Sequence, residues 1–192
     1  MEEPVILPST VHGKNTQMSN IFLASDHHLN HNNILTFLKP NGERLRSFEN
    51  IEEHDEHIIA RHNAVVKPRD KTYFLGDVTF SHKNLYLLGR MNGEKVLIKG
   101  NHDKLKLSQY APYFKDVRGS HQLDKFVLTH IPVHFYSLDR WRGNIHGHLH
   151  HNTVPDQKGN EDLRYFNVCM ECIDYTPISL EEVKKQFEKF RT

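Results

Sequence analysis

Five polar groups recur in order along the chain: Asp26-His27-His28, Gly76-Asp77, Gly100-Asn101-His102-Asp103, His130 and Gly147-His148-Leu149-His150. Their oxygens and imidazole nitrogens suit hard and borderline cations. Nearly every group follows a short apolar run that reads as a β-strand. Carboxylates, imidazoles and one amide, gathered at one edge of a sheet, can hold two divalent cations. The chemistry most often done by a close metal pair in a protein is phosphoester hydrolysis.

The spacing within each group supports this. Asp26 and His28 are two residues apart, so in extended chain both project to one side and can bind one ion. Asp77 follows a glycine that permits a sharp turn, and its two oxygens can bridge two cations. Asn101 offers a neutral amide oxygen. His146, His148 and His150 alternate, and share a face if locally extended. Each group taken alone has a plainer reading. An Asp after Gly is a common turn residue, Asn-His-Asp can cap a helix, and His-x-His can be a solvated strand face. Isolated histidines such as His12, His54, His57, His62, His82, His121 and His151 read as ordinary hydrogen-bonded residues. The plain readings leave unexplained why the polar groups fall together at strand ends.

The elements that must position them are short. Ile21–Ala24, Thr72–Leu75, Lys95–Ile98 and Phe126–Thr129 read as strands delivering Asp26, Asp77, Asn101 and His130. Asn144–His150 and Leu163–Met170 read as two more. Asn33–Leu38 is expected to form a short helix, stopped by Pro40 and Asn41-Gly42. Asn50 is expected to cap a longer one, with Glu52, Glu53, Asp55 and Glu56 near its positive end. A further helix is expected around Asn84–Met91. Ser179-Leu180-Glu181-Glu182 is a capping box that opens a last helix to about Phe190. Strand-helix-strand followed by a strand-rich second half implies a mixed α/β layered domain.

A chain of 192 residues can bury one hydrophobic core. The expected division is an N-terminal extension over residues 1–18, either vector-derived or disordered, and a single domain over 19–192. The net charge of +1 gives no global field for nucleic acid or membrane. A nucleotide substrate stays open, because metal ions can supply local positive charge. Cys169 and Cys172 have C-x-x-C spacing, without a second pair to complete a zinc site, and read as reduced thiols. No apolar stretch approaches the roughly 18 residues that span a bilayer. With no secretion signal in residues 1–17, a cytoplasmic location is expected.

In these motifs the chain resembles the calcineurin-like metallophosphoesterase superfamily, with its D-x-H, G-D, G-N-H-[DE], H and G-H-x-H motifs in order over Asp26–His150. It looks most like small single-domain bacterial and phage phosphoesterases. Their His and Asn-Ile after the first motif resemble His31 and Asn33-Ile34, and their R-x-N-x-V-V resembles Arg61–Val66. The tail Asn167–Val183 also fits. The resemblance implies a four-layer αββα sandwich with metals at the sheet edge. It implies that Asp26, His28, Asp77 and His150 hold one ion, and that Asp77, Asn101, His130 and His148 hold the other. Manganese is the first expectation for the two ions, with iron, nickel, cobalt or zinc as alternatives. A hydroxide shared by them would attack phosphorus. His102 would contact substrate or act as general acid, and Asp103 would orient it. His27, where many relatives have a small or hydroxyl residue, is assigned no metal role.

The implied activity is hydrolysis of a phosphodiester: a nucleotide, a cyclic nucleotide or a nucleic-acid end. The alternatives are a phosphomonoesterase on the same site and a non-catalytic relative that uses the site for binding. The latter should have lost ligands or His102, and all are retained here. A structural zinc domain would show a local Cys/His cluster, which the dispersed carboxylate-rich set is not. No large insertion suggests a cap domain, so an open site is expected. His31, Arg140, Trp141 and Arg142 are candidates for substrate binding, the last three by stacking on a base and gripping a phosphate. A packed Trp141 between solvated arginines is the plainer reading.

Overall fold

The computed structural model describes residues 19–189. The expected extension, residues 1–18, and the end of the last helix near Phe190 lie outside the described residues. In chain order the elements are β1 (Ile21–Ala24), α1 (Ile51–Val65), β2 (Lys71–Phe74), β3 (Glu94–Ile98), α2 (Leu107–Tyr110), β4 (Asp116–Arg118), β5 (His121–Leu123), β6 (Phe126–Leu128), β7 (Gly143–His146), β8 (Tyr165–Asn167), β9 (Ile178–Ser179) and α3 (Leu180–Lys189). They form two sheets, ordered β4-β3-β2-β1-β9 and β5-β6-β7-β8. Strands β1 to β4 pair in parallel, as do β6 to β8. Among the strands of the described residues, the β1–β9 and β5–β6 pairs are antiparallel. The architecture is a mixed α/β sandwich, two sheets flanked by helical segments.

The central strands β1, β2 and β3 end in buried, mostly apolar residues because the middle of the first sheet is covered on both faces. Side chains alternate across a strand, and here they alternate between two cores. Leu23, Tyr73, Leu75, Val96 and Ile98 face the second sheet and pack with Phe126, Leu128, Ile145 and Val168. Ala24, Phe74 and Leu97 face the other way and pack with Ile58 and Ile59 of α1 and with Leu85 and Leu88. Val183 and Phe187 of α3 join the core between the sheets.

The caps are where the residue types require them. Asn50 Oδ1 accepts the Glu53 N–H at 2.8 Å and opens α1. Ser179 Oγ accepts the Glu182 N–H, while the Glu182 carboxylate accepts the Ser179 N–H, both at 3.2 Å. Two expected helices differ in kind. The segment expected over Asn84–Met91 is a 3-10 helix, His82–Arg90. Leu85, Leu88 and Met91, all buried, recur every third residue, the period of a 3-10 helix. The segment expected over Asn33–Leu38 is a single 3-10 turn, Asn32–Leu35, that buries only Ile34. The strand expected over Asn144–His150 ends at His146, and that over Leu163–Met170 shrinks to Tyr165–Asn167. Among the described residues no helix is long and apolar enough to cross a membrane.

Asn50→Ala removes the α1 cap and leaves an N–H without its acceptor. The expected loss is about 1 kcal/mol of stability, read as a lower urea midpoint at an unchanged denaturation slope. An unchanged midpoint would mean that solvent caps the helix equally well.

Candidate metal centre

Parallel strands end together, so their carboxyl ends present loops on one edge. After β1 and β2 the two loops run side by side. Asp26 N donates to Gly76 O at 3.0 Å, His28 N to Asp77 O at 3.0 Å, and Leu29 N to Val78 O at 2.9 Å. The second sheet joins the same edge. Ser25 bridges Cys169 beyond the end of β8, and Gly147 N donates to His130 O at 2.9 Å. Residues from both sheets thereby converge.

Backbone strain marks the site. Asp26, His28, Asp77, His148 and His150 all have φ between +50° and +69°. Side chains other than Gly rarely adopt this left-handed region, at a cost on the order of 1 kcal/mol or more each. This overturns two expectations. Asp26 and His28 do not share a face as extended chain, and His148 and His150 do not continue β7. All four reach the site through left-handed turns. Gly147 makes the first approach: a Cβ there would overlap Ser25 Oγ and Asp26 Oδ2. Gly76, at φ +95°, has the His130 ring where a Cβ would stand.

The carboxylates are held with one side saturated and the other open. Asp26 Oδ2 accepts Ser25 Oγ at 2.6 Å, the His148 N–H at 2.8 Å and Cys169 Sγ at 3.1 Å. Asp26 Oδ1 is buried without a hydrogen-bond partner, and so is His28 Nε2, 3.6 Å away. His150 Nε2 lies 3.9 Å from the same oxygen. Asp77 Oδ1 accepts the His102 N–H at 2.9 Å, and its Oδ2 stands 3.4 Å from His130 Nε2. Asn101 Oδ1 is 2.9 Å from that nitrogen. Donor atoms of Asp26, Asp77 and His130 all fall within 4.8 Å of one another. The His130 and His148 rings are 5.1 Å apart. Orphaned buried donors converging in this way fit a cation.

Two histidines are fixed by their outer nitrogens. His130 Nδ1 donates to Leu75 O at 2.7 Å, and His150 Nδ1 to Glu171 Oε1 at 2.6 Å. Each contact sets the tautomer and turns Nε2 inward as a lone-pair donor, the arrangement typical of metal-binding imidazoles. Protonation follows the same pattern. Burial pushes Asp26 up, but contact with His28 and the charges of His130, His28 and His150 outweigh it and hold it well below the usual range. Asp77 is likewise held low, against burial, chiefly by His130. Burial depresses His28 and His148. His130 moves upward, since Asp77 and Asp26 overcome its burial. Carboxylates held ionised beside His28 and His148, whose burial disfavours the charged imidazole, suit a cation.

Arg46 anchors this arrangement from below, fully buried. Its NH2 donates to Asp26 O at 2.6 Å and to Glu171 Oε2 at 2.7 Å, and its NH1 to His27 O at 3.2 Å. Its NH1 also meets His54 Nε2 at 3.0 Å. His54 contacts Asp55, whose other oxygen accepts the Asn30 N–H. Burial raises Glu171, yet the Arg46 charge and His150 bring it down to about 2.

Of the residues singled out from the sequence, Asp26, His28, Asp77, Asn101, His130, His148 and His150 come together. A cavity of about 400 Å³ opens over His28, Asp77, His148 and His150, and His31 and His102 also line it. The His102 ring is exposed and makes no hydrogen bond among the described residues. Asp103 has a different task from the one expected. Its carboxylate accepts the N–H groups of Asp77 and Gly100 at 2.8 Å and of Val78 at 3.2 Å, so it positions the Asp77 turn and not the His102 ring. His27 stacks on Phe74 in the interior, 4.6 Å between ring centres. Arg140, Trp141 and Arg142 are not brought to this cavity. They enter β7 at the end opposite Gly147, where Arg142 N bonds Lys125 O. Arg46, Glu171 and Phe80 were not singled out from the sequence, and His54 and Cys169 were read there only as an ordinary hydrogen-bonded histidine and a reduced thiol. Glu171 had one available signal, a carboxylate between two cysteines directly after an apolar strand. Arg46 sits in an aperiodic polar loop and had none.

No protein-family model matches the chain. It is 36% identical over 181 residues to uncharacterized protein MJ1445 of Methanocaldococcus jannaschii, spanning 90% of this chain and 93% of that one. The chain belongs to the same family as that protein. Among solved structures it resembles the protein of unknown function AQ665 from Aquifex aeolicus, with a TM-score of 0.65 and 24% identity, over 88% of this chain and 99% of that one. That likeness is one of fold. Pseudomonas putida nuclease MPE aligns more loosely, with a TM-score of 0.44 and 21% identity, over 68% of this chain and 61% of that one.

Arg46→Met retains bulk but removes the guanidinium from Glu171, leaving that buried carboxylate only its His150 contact, and strips the Asp26 and His27 carbonyls of their donor. A loss of about 3–5 kcal/mol is expected, measured by urea denaturation beside wild type. A loss below about 1 kcal/mol would show that the pair is dispensable.

Proposed function

We propose that this protein is a metal-dependent phosphodiester hydrolase of the calcineurin-like metallophosphoesterase type, resembling its small single-domain bacterial and phage members. The observation that carries the reading is the pair Asp26 and Asp77. Both are ionised and buried, they sit at the ends of adjacent parallel strands, and imidazole nitrogens face their open oxygens. Asp26, His28, Asp77 and His150 would hold one divalent ion. Asp77, Asn101, His130 and His148 would hold a second. Mixed nitrogen and oxygen donors favour manganese, iron, nickel, cobalt or zinc. When bound, such ions offset the negative charge of a phosphoester and lower the pKa of water.

The chain's own residues supply the rest. His150 is kept in its ligating tautomer by Glu171, and His130 by the Leu75 carbonyl. Asp103 fixes the Asp77 turn through three backbone N–H groups. His102 is exposed beside the cavity and free to hydrogen-bond, placed to donate a proton to a departing alkoxide. A diester carries one negative charge and leaves room at an open site, whereas a monoester's second charge can bind the ions too tightly for turnover. The substrate class is a nucleotide, a cyclic nucleotide or a nucleic-acid end.

Two outcomes test the reading. After reconstitution with Mn, elemental analysis should find close to two ions per chain, fewer in Asp77→Asn, and an unchanged content in His102→Ala. The same His102→Ala protein should turn over roughly 10²–10⁴-fold more slowly. Only trace metal in wild type would end the metal reading, and metal loss in His102→Ala would make that residue a ligand. Bis(p-nitrophenyl) phosphate should be cleaved with a higher kcat/KM than p-nitrophenyl phosphate. A monoester preference above roughly tenfold, about 1.4 kcal/mol, would make the protein a phosphatase.

A further inference from the structure

The cavity over the candidate ligands has an aromatic side. Phe37 and Phe80 line it together with His31 and His102. Both phenylalanines keep large exposed areas, 41% for Phe37 and 38% for Phe80. Two partly exposed rings on one wall of a polar cavity offer apolar surface that an occupant can cover. Phe80 is also held firmly. It stands edge-on to His31 with ring centres 4.2 Å apart, edge-on to His28 at 5.3 Å, and tilted against His102 at 4.7 Å. Its place is tied to the candidate ligand Asp77 by sequence, three residues on in the same loop. Thr79 between them donates to Leu29 O at 3.0 Å. Phe37 stands edge-on to His31 at 6.1 Å, and its carbonyl accepts the Leu45 N–H at 2.7 Å.

A second cavity, of about 320 Å³, lies on the Asn101–His130 side. Lys99, Gly119, Thr129 and Ile131 contribute to its lining, and it has no aromatic ring besides the His130 imidazole. The ligand cluster therefore has an aromatic flank and a flank that carries a lysine. A phosphodiester has two ester arms, and only one flank is built for a planar ring.

We propose that Phe37 and Phe80 form a nucleobase subsite, which takes the base on one arm of a nucleotide phosphodiester and so selects nucleotides over sugar or lipid phosphoesters. The inference rests on the phosphoesterase reading and specifies its substrate. A nucleobase is the planar ring that natural phosphodiesters carry. It stacks on an aromatic face without needing sequence-specific hydrogen bonds, and apart from the metal-site residues this flank offers no charged side chain to read a base edge. The arginine-tryptophan segment expected to stack a base is replaced in this role by Phe37 and Phe80.

The test is equilibrium binding to the Mn-reconstituted full chain, by calorimetry, of adenosine 5′-monophosphate and ribose 5-phosphate. The two share the phosphate and the sugar and differ in the base. The nucleotide should bind at least about tenfold more tightly, equal to about 1.4 kcal/mol. Phe80→Ala and Phe37→Ala should each shrink that ratio by weakening the nucleotide more than ribose 5-phosphate, and Phe80→Trp should preserve it. Equal affinities in wild type, no binding of either compound, or equal weakening of both in the alanine variants would overturn the subsite. Cleavage of bis(p-nitrophenyl) phosphate by the same preparation judges the phosphoesterase reading separately. A protein that cleaves the aryl diester yet binds the two compounds equally retains that activity and loses the nucleobase subsite.

Discussion

Asp26 and Asp77 are two ionised carboxylates buried within 4.8 Å of each other. Like charges at about 4 Å repel by roughly 4 kcal/mol even at an effective dielectric constant near 20. The surrounding structure is arranged to hold them there. Asp26 takes three donors on one oxygen, and Asp77 takes the His102 N–H. The candidate ligand histidines supply opposing charge when protonated, and lone pairs when neutral. A divalent cation between the carboxylates would turn the repulsion into attraction.

That constraint explains the layout of the fold. Adjacent parallel strands bring Asp26 and Asp77 side by side, and the Ser25–Cys169 bridge draws the second sheet to the same edge. The left-handed turns then aim the side chains inward. The sheet can tolerate strain at its rim, because its central strands β1, β2 and β3 are each packed into two cores. Arg46 joins the layers electrostatically. It reaches the Asp26 carbonyl on one side and Glu171 on the other, so the loops after β1 and β8 are tied to each other through one side chain. Glu171 in turn orients His150.

The thiols belong to the same network. Cys169 is buried, and burial together with the Asp26 charge pushes it well above the ordinary thiol range, so it stays neutral and donates to Asp26. Cys172 Sγ donates to the His150 carbonyl at 3.0 Å. Both are free thiols. Reading them as ordinary reduced cysteines was right in chemistry and incomplete in role. They serve as weak donors in a place where a charged partner would compete with a cation.

The sequence by itself determined the residue types at the strand ends, the strands that deliver them and the caps of α1 and α3. Each is a local signal: an apolar run, a following polar group, an Asn or Ser before a helical stretch. The series Asp26, His28, Asp77, Asn101, His130, His148 and His150 was legible because each member lies within a few residues of its own strand. Tertiary structure decided the rest. The left-handed turns at His148 and His150 cannot be read from an alternating His-x-His pattern, and neither can the close approach of Gly147 to Ser25 and Asp26 that precedes them. Arg46 and Glu171 are 125 residues apart, and neither sits in a periodic segment that would announce burial. Phe80 and Phe37 look like any exposed loop aromatics until the fold sets them around one cavity. Local chemistry is encoded in neighbouring residues, whereas a partner across the core exists only once the two sheets have met.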